Sequence, residues 1–371
     1  MDQNQQNTES NQRVLWLLID DRPGNAGQVR GVAEALSAEM NWPREGAGSP
    51  FVEKKIAYTS LAKLPNIVRG SSLVGVTPET AAGLKVDGAS GHAWPDLVIA
   101  AGRRTAPVAR WVKKAAQGQG KKTLIVQVMN PGRAGSDAFD LIAVPKHDCT
   151  RPDGDAPNVM RITGAPHRFS PARLEAERQA WAGLMTGIPR PFIALFVGGA
   201  TKARPFPAEL ASDLATKVSA AAAELGGSVL LSTSRRTGSE AEAALLAATP
   251  EPRHTFIWGR DGESGKPNPF AGYLALADAV VVTGDSVSMC SEACANTGPV
   301  YIYAPRGMVS AKHARLHRDL FALGAARPFS LWHHGGTFED WTHAPVNAAA
   351  EVAQRIAGLL KEAGLPRKQA S

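Results

Sequence analysis

The chain is short of cysteine, with three in 371 residues, and has only four tyrosines. Three thiols (Cys149, Cys290 and Cys294) are too few, and odd in number, for a disulfide framework, so a reducing, cytoplasmic setting is expected. Long apolar runs are missing as well. Residues 14–19 and 280–282 have strand length, well short of the roughly 18 residues that cross a bilayer. Residues 1–12 are polar and rich in Asn and Gln, without the apolar core of a secretory signal, and read as a frayed tail. Any membrane contact is therefore expected to be peripheral, at the inner membrane, with no apolar anchor behind it.

What is present suits a globular chain. Hydrophobic residues make up 44% and charged residues 20%, which excludes a disordered polyelectrolyte. The length favours two domains. The formal net charge of +7 is uneven: residues 13–165 hold 20 bases against 14 acids, and residues 166–371 hold 21 against 18. On charge alone the first half suits an anionic lipid surface, a phosphorylated substrate or nucleic acid, or simply a solvated basic face.

Apolar strand-like runs alternate with helical stretches in both halves. Strands are expected at 13–19, 51–58, 96–100, 123–128, 141–144 and 158–162, then at 192–197, 228–232, 254–258, 279–283 and 300–303. Helices are expected at 28–40, 105–116, 171–185 and 348–362. Continuous apolar strands separated by helices predict parallel sheets covered on both faces. The fold class is thus α/β, with two Rossmann-like doubly wound domains. The expected boundaries are 13–166 for an acceptor-side domain, 167–190 for a linker, 191–345 for a nucleotide-binding domain and 346–364 for a helix returning to the first domain.

Polar turns at strand ends carry the candidate chemistry. After the apolar run at 279–283 come Gly284, Asp285, Ser286 and Ser288, with Glu292 further along the helix that starts there. Free N–H groups at a helix start favour phosphate, and a carboxylate one to two turns on can accept both ribose hydroxyls. The same spacing fits a plain strand–helix unit with Asp285 or Ser286 as N-cap and Glu292 exposed. A second turn, Gly198-Gly199-Ala200-Thr201-Lys202, permits close backbone approach, and Thr201 and Lys202 can meet phosphate oxygens. It lacks the Gly-Lys-Ser/Thr ending of a P-loop. A third, Ser234-Arg235-Arg236-Thr237, offers hydroxyl and guanidinium groups.

In the first half, Asp20-Asp21-Arg22-Pro23-Gly24-Asn25-Ala26-Gly27-Gln28 carries more polar groups than a tight turn needs, and Asp20 or Asp21 can act as a general base on an acceptor hydroxyl. Arg22, Gly24, Asn25, Gln28, Arg103 and Arg104 are candidate acceptor contacts. His147 beside Asp148 is a further candidate base, although neighbours on a strand end point apart, which favours a surface position. Cys290 and Cys294 lie one helical turn apart without a second ligand pair, so buried thiols are expected rather than a metal site. His333, His334 and His343 read as polar groups of a loop.

Taken in order, these segments resemble the Elm family, named for elongated mitochondria in plants and widespread in bacteria. Ala101-Gly102-Arg103-Arg104-Thr105-Ala106-Pro107, Gln127-Val128-Met129-Asn130-Pro131, Val144-Pro145-Lys146-His147-Asp148, Gly164-Ala165-Pro166-His167-Arg168 and Asn268-Pro269-Phe270-Ala271-Gly272-Tyr273 carry the resemblance together with the turns above. Asp21 departs from it, standing where the family often has Gly. The resemblance implies a GT-B-like arrangement, similar around Gly284–Glu292 to the transferase that adds N-acetylglucosamine to the lipid-linked peptidoglycan precursor. Glu292 would then bind ribose, Gly284, Asp285, Ser286 and Ser288 the diphosphate, and the first domain the acceptor. The implied partners are a nucleoside diphosphate sugar and an anionic membrane surface or lipid-linked acceptor, with no nucleic acid, metal or cofactor. Two other functions share this pattern: a scaffold that recruits a dynamin-type partner, as the plant member does, and a sugar-nucleotide epimerase.

Overall fold

Five consecutive apolar residues, Leu15–Ile19, form strand β1, whose successive side chains go to opposite faces of its sheet. Leu15, Leu17 and Ile19 enter one core, Trp16 and Leu18 another, and all five are buried. A strand with no polar position is one covered on both sides. The computed structural model describes residues 13–43, 45–46, 49–86, 93–149, 156–201, 204–332 and 341–364. Residues 1–12, Lys202, His333 and His334 lie outside them.

The chain divides into two units: Met1–Ile162 with Pro166–Arg168 and Ala348–Ser371, and Thr163–Ala165 with Phe169–Asn347. In the first, β1 leads to α1 (Pro23–Met40), β2 (Phe51–Lys55), the short α2 (Asn66–Arg69) and α3 (Pro78–Gly83), β3 (Leu97–Ala101), α4 (Ala106–Gln117), β4 (Leu124–Val128), β5 (Leu141–Pro145) and β6 (Val159–Ile162). The sheet order is β2-β1-β3-β4-β5-β6, parallel throughout. Residues of α1 and α4 join the cores on its opposite faces.

The second unit contains α5 (Pro171–Ala182), β7 (Phe192–Val197), α6 (Ala208–Glu224), β8 (Ser228–Thr233), α7 (Ser239–Ala247), β9 (Arg253–Phe256), α8 (Phe270–Leu276), β10 (Ala279–Thr283), α9 (Val287–Ala293), β11 (Val300–Tyr303), α10 (Ala311–Ala322) and β12 (Arg327–Pro328). Its sheet runs β12-β11-β10-β7-β8-β9, again parallel. Val280 and Val282 face one core and Val281 the other. Both units are therefore doubly wound. Strand order reverses between β1 and β3 and between β7 and β10, and the turns beyond those strand ends are where such sheets bind ligands.

Helix α11 (Ala348–Glu362) belongs to the first unit. Val352, Ala353, Ile356 and Leu360, at helical spacing, enter the same core as Val29, Val32, Ala33 and Leu36 of α1. Of the stretch 167–190, His167 packs its backbone on Gly31, where any side chain would collide. Helix α5 joins the second unit: Trp181 meets Tyr273 edge-on at 6.2 Å, and Arg178 Nε donates to Ala275 O at 3.0 Å.

Some elements differ from expectation. Helix α1 starts at Pro23 rather than residue 28, because Pro at the first position suits a helix start while the Gly-Asn-Ala-Gly run resembles a turn. Strand β2 ends at Lys55, and Tyr58 forms only an isolated bridge with Val76. Among the described residues no helix is long and apolar enough to cross a membrane. Ile356 is fully buried, so Ile356→Ala should lower stability by about 2–5 kcal/mol. Urea unfolding checks this; a loss below about 0.5 kcal/mol would mean that α11 docks loosely.

Candidate functional site

In the second unit three polar turns leave neighbouring strands, β10, β7 and β8, at the point where the strand order reverses. They are bound tightly to one another. Gly198 N donates to Thr283 Oγ1 at 2.7 Å, Thr237 Oγ1 donates to Gly198 O at 2.9 Å, and Ala200 N donates to Arg236 O at 2.9 Å. Ser234 Oγ also donates to Gly198 O. The two glycines serve this packing. A side chain on Gly198 would strike the Asp285 carboxylate, and one on Gly199, whose φ is +124°, would strike the Arg236 carbonyl.

Asp285 is buried and forms an ion pair with Arg236, Nη1 to Oδ2 at 2.7 Å. Among the described residues neither carboxylate oxygen has a well-directed hydrogen bond, so the attraction to Arg236 is mainly Coulombic. Arg236 also reaches Ala200 O at 3.1 Å. Its neighbour Arg235 is exposed. Beneath the turn, His317 Nε2 donates to Gly284 O at 2.9 Å, and burial lowers its pKa to about 4, so the ring is neutral. Sequence reasoning offered both arginines without singling out Arg236, and it missed His317. The available signals were the adjacent arginines and the four-residue spacing of His313 and His317 on α10.

Ser286 is the N-cap of α9, accepting from Met289 N at 3.3 Å. Val287 and Ser288 N–H have no partner among the described residues, nor does the Ser288 hydroxyl. Ser291, one position before Glu292, is committed elsewhere: its Oγ accepts from Ala165 N and donates to Val287 O. Glu292 is half-buried, and its carboxylate makes no hydrogen bond or ion pair among the described residues. Desolvation raises its pKa to about 7. It shares a face of α9 with Ser288, four residues back. Thr201 sits in a two-bond bridge with Arg204.

The first unit repeats the theme between β1 and β3. Asp20 accepts from Arg22 N at 3.1 Å, Asn25 Nδ2 at 3.0 Å and Arg104 Nη2 at 3.2 Å. Arg104 also pairs with the exposed Asp21 and lies 4.6 Å over the Tyr58 ring. Its hydrogen bond holds the Asp21 carboxyl below the usual range. Gly102, at φ +80°, leaves room for the Asn25 amide. Gln28 and Gln127 each keep a buried Oε1 without a partner among the described residues, and the Tyr58 hydroxyl is likewise unmatched. Such orphaned atoms call for water or a ligand. Arg22, Gly24 and Arg103 are exposed around them. His147 is not among this group: it follows β5, with β3 and β4 between it and β1, and is 1% exposed rather than on the surface.

Cys290 and Cys294 are buried thiols whose pKa values burial raises, the second to about 12. No group of His, Cys, Asp and Glu among the described residues could hold a metal ion.

A model of the family described as mitochondrial fission ELM1 matches residues 23–360. The chain belongs to the mitochondrial fission ELM1 family. Mitochondrial fission protein ELM1 of Arabidopsis thaliana is 29% identical over 286 residues, covering 71% of this chain and 63% of the plant protein, so less than two thirds of that relative is matched. An uncharacterized protein of Rickettsia prowazekii (strain Madrid E) is 27% identical over 379 residues, covering 94% of this chain and 98% of its own. Among solved structures, a Listeria monocytogenes protein assigned as a UDP-N-acetylglucosamine 2-epimerase matches with a TM-score of 0.53 at 14% identity, over 96% of this chain and 99% of its own. The UDP-GlcNAc 2-epimerase of Methanocaldococcus jannaschii matches at 0.52 and 12%, over 94% and 99%. Identities this low show the fold alone, which is GT-B-like.

A carboxyl group whose pKa stands near 7 in the folded chain and near 4.5 outside it binds its proton more tightly when folded. That stabilisation is complete below about pH 4.5 and is lost as pH rises through about 7. Glu292→Gln, neutral throughout, escapes the loss. Its melting temperature should therefore gain on the wild type by a few degrees between about pH 5 and about pH 8. A pH-independent difference in thermal melts would mean that the carboxylate is solvated.

Proposed function

We propose that the second unit binds a nucleoside diphosphate sugar and that the protein transfers the sugar to an envelope or lipid-linked acceptor held by the first. The observation that carries this is Glu292, a half-buried carboxylate with no partner among the described residues, on the same face of α9 as the open hydroxyl of Ser288 and close behind the open N–H groups at the helix start. Two ribose hydroxyls donating to it would replace the lost water, while the Val287 and Ser288 N–H groups and the Ser288 hydroxyl meet the diphosphate. Asp285 acts through its backbone and through Arg236, since its carboxylate is already paired. Exposed Arg235, together with Lys202 from the sequence that follows β7, would neutralise the leaving diphosphate, and the Thr201 hydroxyl would donate to it. The M. jannaschii fold relative is by name an enzyme of UDP-GlcNAc, which supports a sugar nucleotide as analogy only.

In the first unit Asp20 is committed to three donors and fixes the turn, which leaves Asp21 as the acid able to receive a hydroxyl proton. Its pairing with Arg104 makes it a weak base that is always ionised near neutrality, so an acceptor must draw Arg104 away to sharpen it. Gln28, Asn25, Arg22, Gly24, Arg103 and the Tyr58 hydroxyl surround the place such an acceptor would take. His147, buried across the sheet, has no part in this scheme.

Thermal-shift screening against UDP-, GDP-, CMP- and dTDP-sugars should find one that stabilises the chain. Titration calorimetry with that nucleotide should show Glu292→Gln weakened roughly tenfold or more, and wild-type affinity rising between about pH 6 and about pH 8 as the carboxylate ionises. Equal affinities would remove Glu292 from the site. No stabilising nucleotide at all would leave the docking scaffold, and conversion of a free sugar nucleotide without acceptor would mark an epimerase.

A further inference from the structure

Leu61, Ile67, Val68 and Val74 are 53%, 77%, 67% and 44% exposed, and all four come from the excursion between β2 and α3. Polarity in its central turn is inverted. Asn66 and Arg69 are buried, at 7% and 2% exposure, while the two aliphatic residues between them face water. Asn66 Nδ2 donates to Arg103 O and to Pro131 O, both at 2.8 Å. Arg69 Nε donates to Val74 O at 3.0 Å, and its Nη1 donates to Arg104 O at 3.2 Å. From α4, Arg110 donates to Ala134 O at 2.9 Å and to Gly70 O at 2.6 Å. Gly75, at φ +85°, packs so closely on the Leu61–Ala62 backbone that a side chain would collide. Buried amide and guanidinium groups thus hold the excursion from beneath, and a braced turn presents its apolar tip.

The surroundings of that tip are basic. No acidic residue stands between Lys54 and Pro78. Lys63 is exposed on the excursion, and the two loops held by Asn66 carry exposed Arg103 and Arg133. Of the acids on adjoining turns, Asp21 is paired with Arg104, and Asp137 lies near Arg110. Exposed aliphatic side chains on an acid-free segment, next to loops that carry exposed cations, match an anionic bilayer surface, where the first enter the acyl boundary and the second stay among the phosphates. Protein interfaces centre instead on Trp, Tyr and Arg, with Leu and Val under-represented, and no aromatic residue is exposed on this tip.

We infer that the turn around α2 is a reversible membrane anchor, inserting Leu61, Ile67, Val68 and Val74 into an anionic bilayer while Lys63, Arg103 and Arg133 engage its headgroups. It extends the lipid-acceptor side of the proposed function and needs no nucleotide. The test is co-sedimentation of the full chain with phosphatidylcholine vesicles, with and without phosphatidylglycerol. The wild type should bind the anionic vesicles. Ile67→Ser/Val68→Ser should lower the partition coefficient roughly tenfold or more at an unchanged melting temperature, since both side chains already face water. Lys63→Ala/Arg133→Ala should lower it several-fold, at low salt only. A wild type that does not bind, a double serine variant that binds equally well, or binding indifferent to phosphatidylglycerol would each overturn the anchor. So would a wild-type dimer that the serine variant dissociates in sedimentation equilibrium, because a second copy would then cover the tip. Nucleotide affinity, measured on the same variant, should match the wild type. Its absence from both proteins with vesicle binding intact would fault the nucleotide site alone.

Discussion

A carboxylate taken out of water needs a counter-charge close by, and Asp285 finds it in Arg236, which arrives from a different strand end. The pair joins the turn after β10 to the turn after β8, with the Gly198 backbone between them. Gly198 must be bare for the carboxylate to fit, and Gly199 must be bare for the Arg236 carbonyl to fit. Losing Arg236 would strand the buried Asp285 carboxylate, which is destabilising. The open groups on α9 stand where they do because this packing fixes the turn ahead of them, with His317 supporting Gly284 from below.

Both units solve the same problem in related ways. A parallel sheet leaves a crevice where its strand order reverses, and the turns beside it must be held rigid. In the first unit Arg104, from beyond β3, clamps Asp20 and Asp21 from beyond β1. In the second unit Arg236 clamps Asp285. The units differ in what is left over. Among the described residues, the first leaves orphaned amide and phenol oxygens, neutral groups suited to hydroxyls, whereas the second leaves a carboxylate without a counter-charge.

The excursion around α2 shows how far local polarity can mislead. Asn66 and Arg69 are residues that normally face water, and Ile67 and Val68 are residues that normally leave it. Here the buried pair donates to backbone carbonyls of Arg103, Arg104 and Pro131 on distant loops, which a reading of the segment alone has no means to supply. The absence of any long apolar run suggested that the basic first half lacked an anchor. Four exposed aliphatic side chains of one excursion, Leu61, Ile67, Val68 and Val74, offer apolar surface of another kind.

Read alone, the order of amino acids was enough for the doubly wound α/β class and for nearly every central strand. Those strands are covered on both faces, so β1, β7 and β10 appear as unbroken apolar runs that end in Gly, Asp and Ser. It also located the polar turns, because such residues have no other reason to follow a buried strand. It could not tell which of Arg235 and Arg236 points inward, that Asp20 is spent on its neighbours while Glu292 is not, or that His147 is buried across the sheet. Periodicity reports which face of an element a residue occupies. The partner waiting there comes from a strand tens of residues away, and only the folded sheet brings the two together.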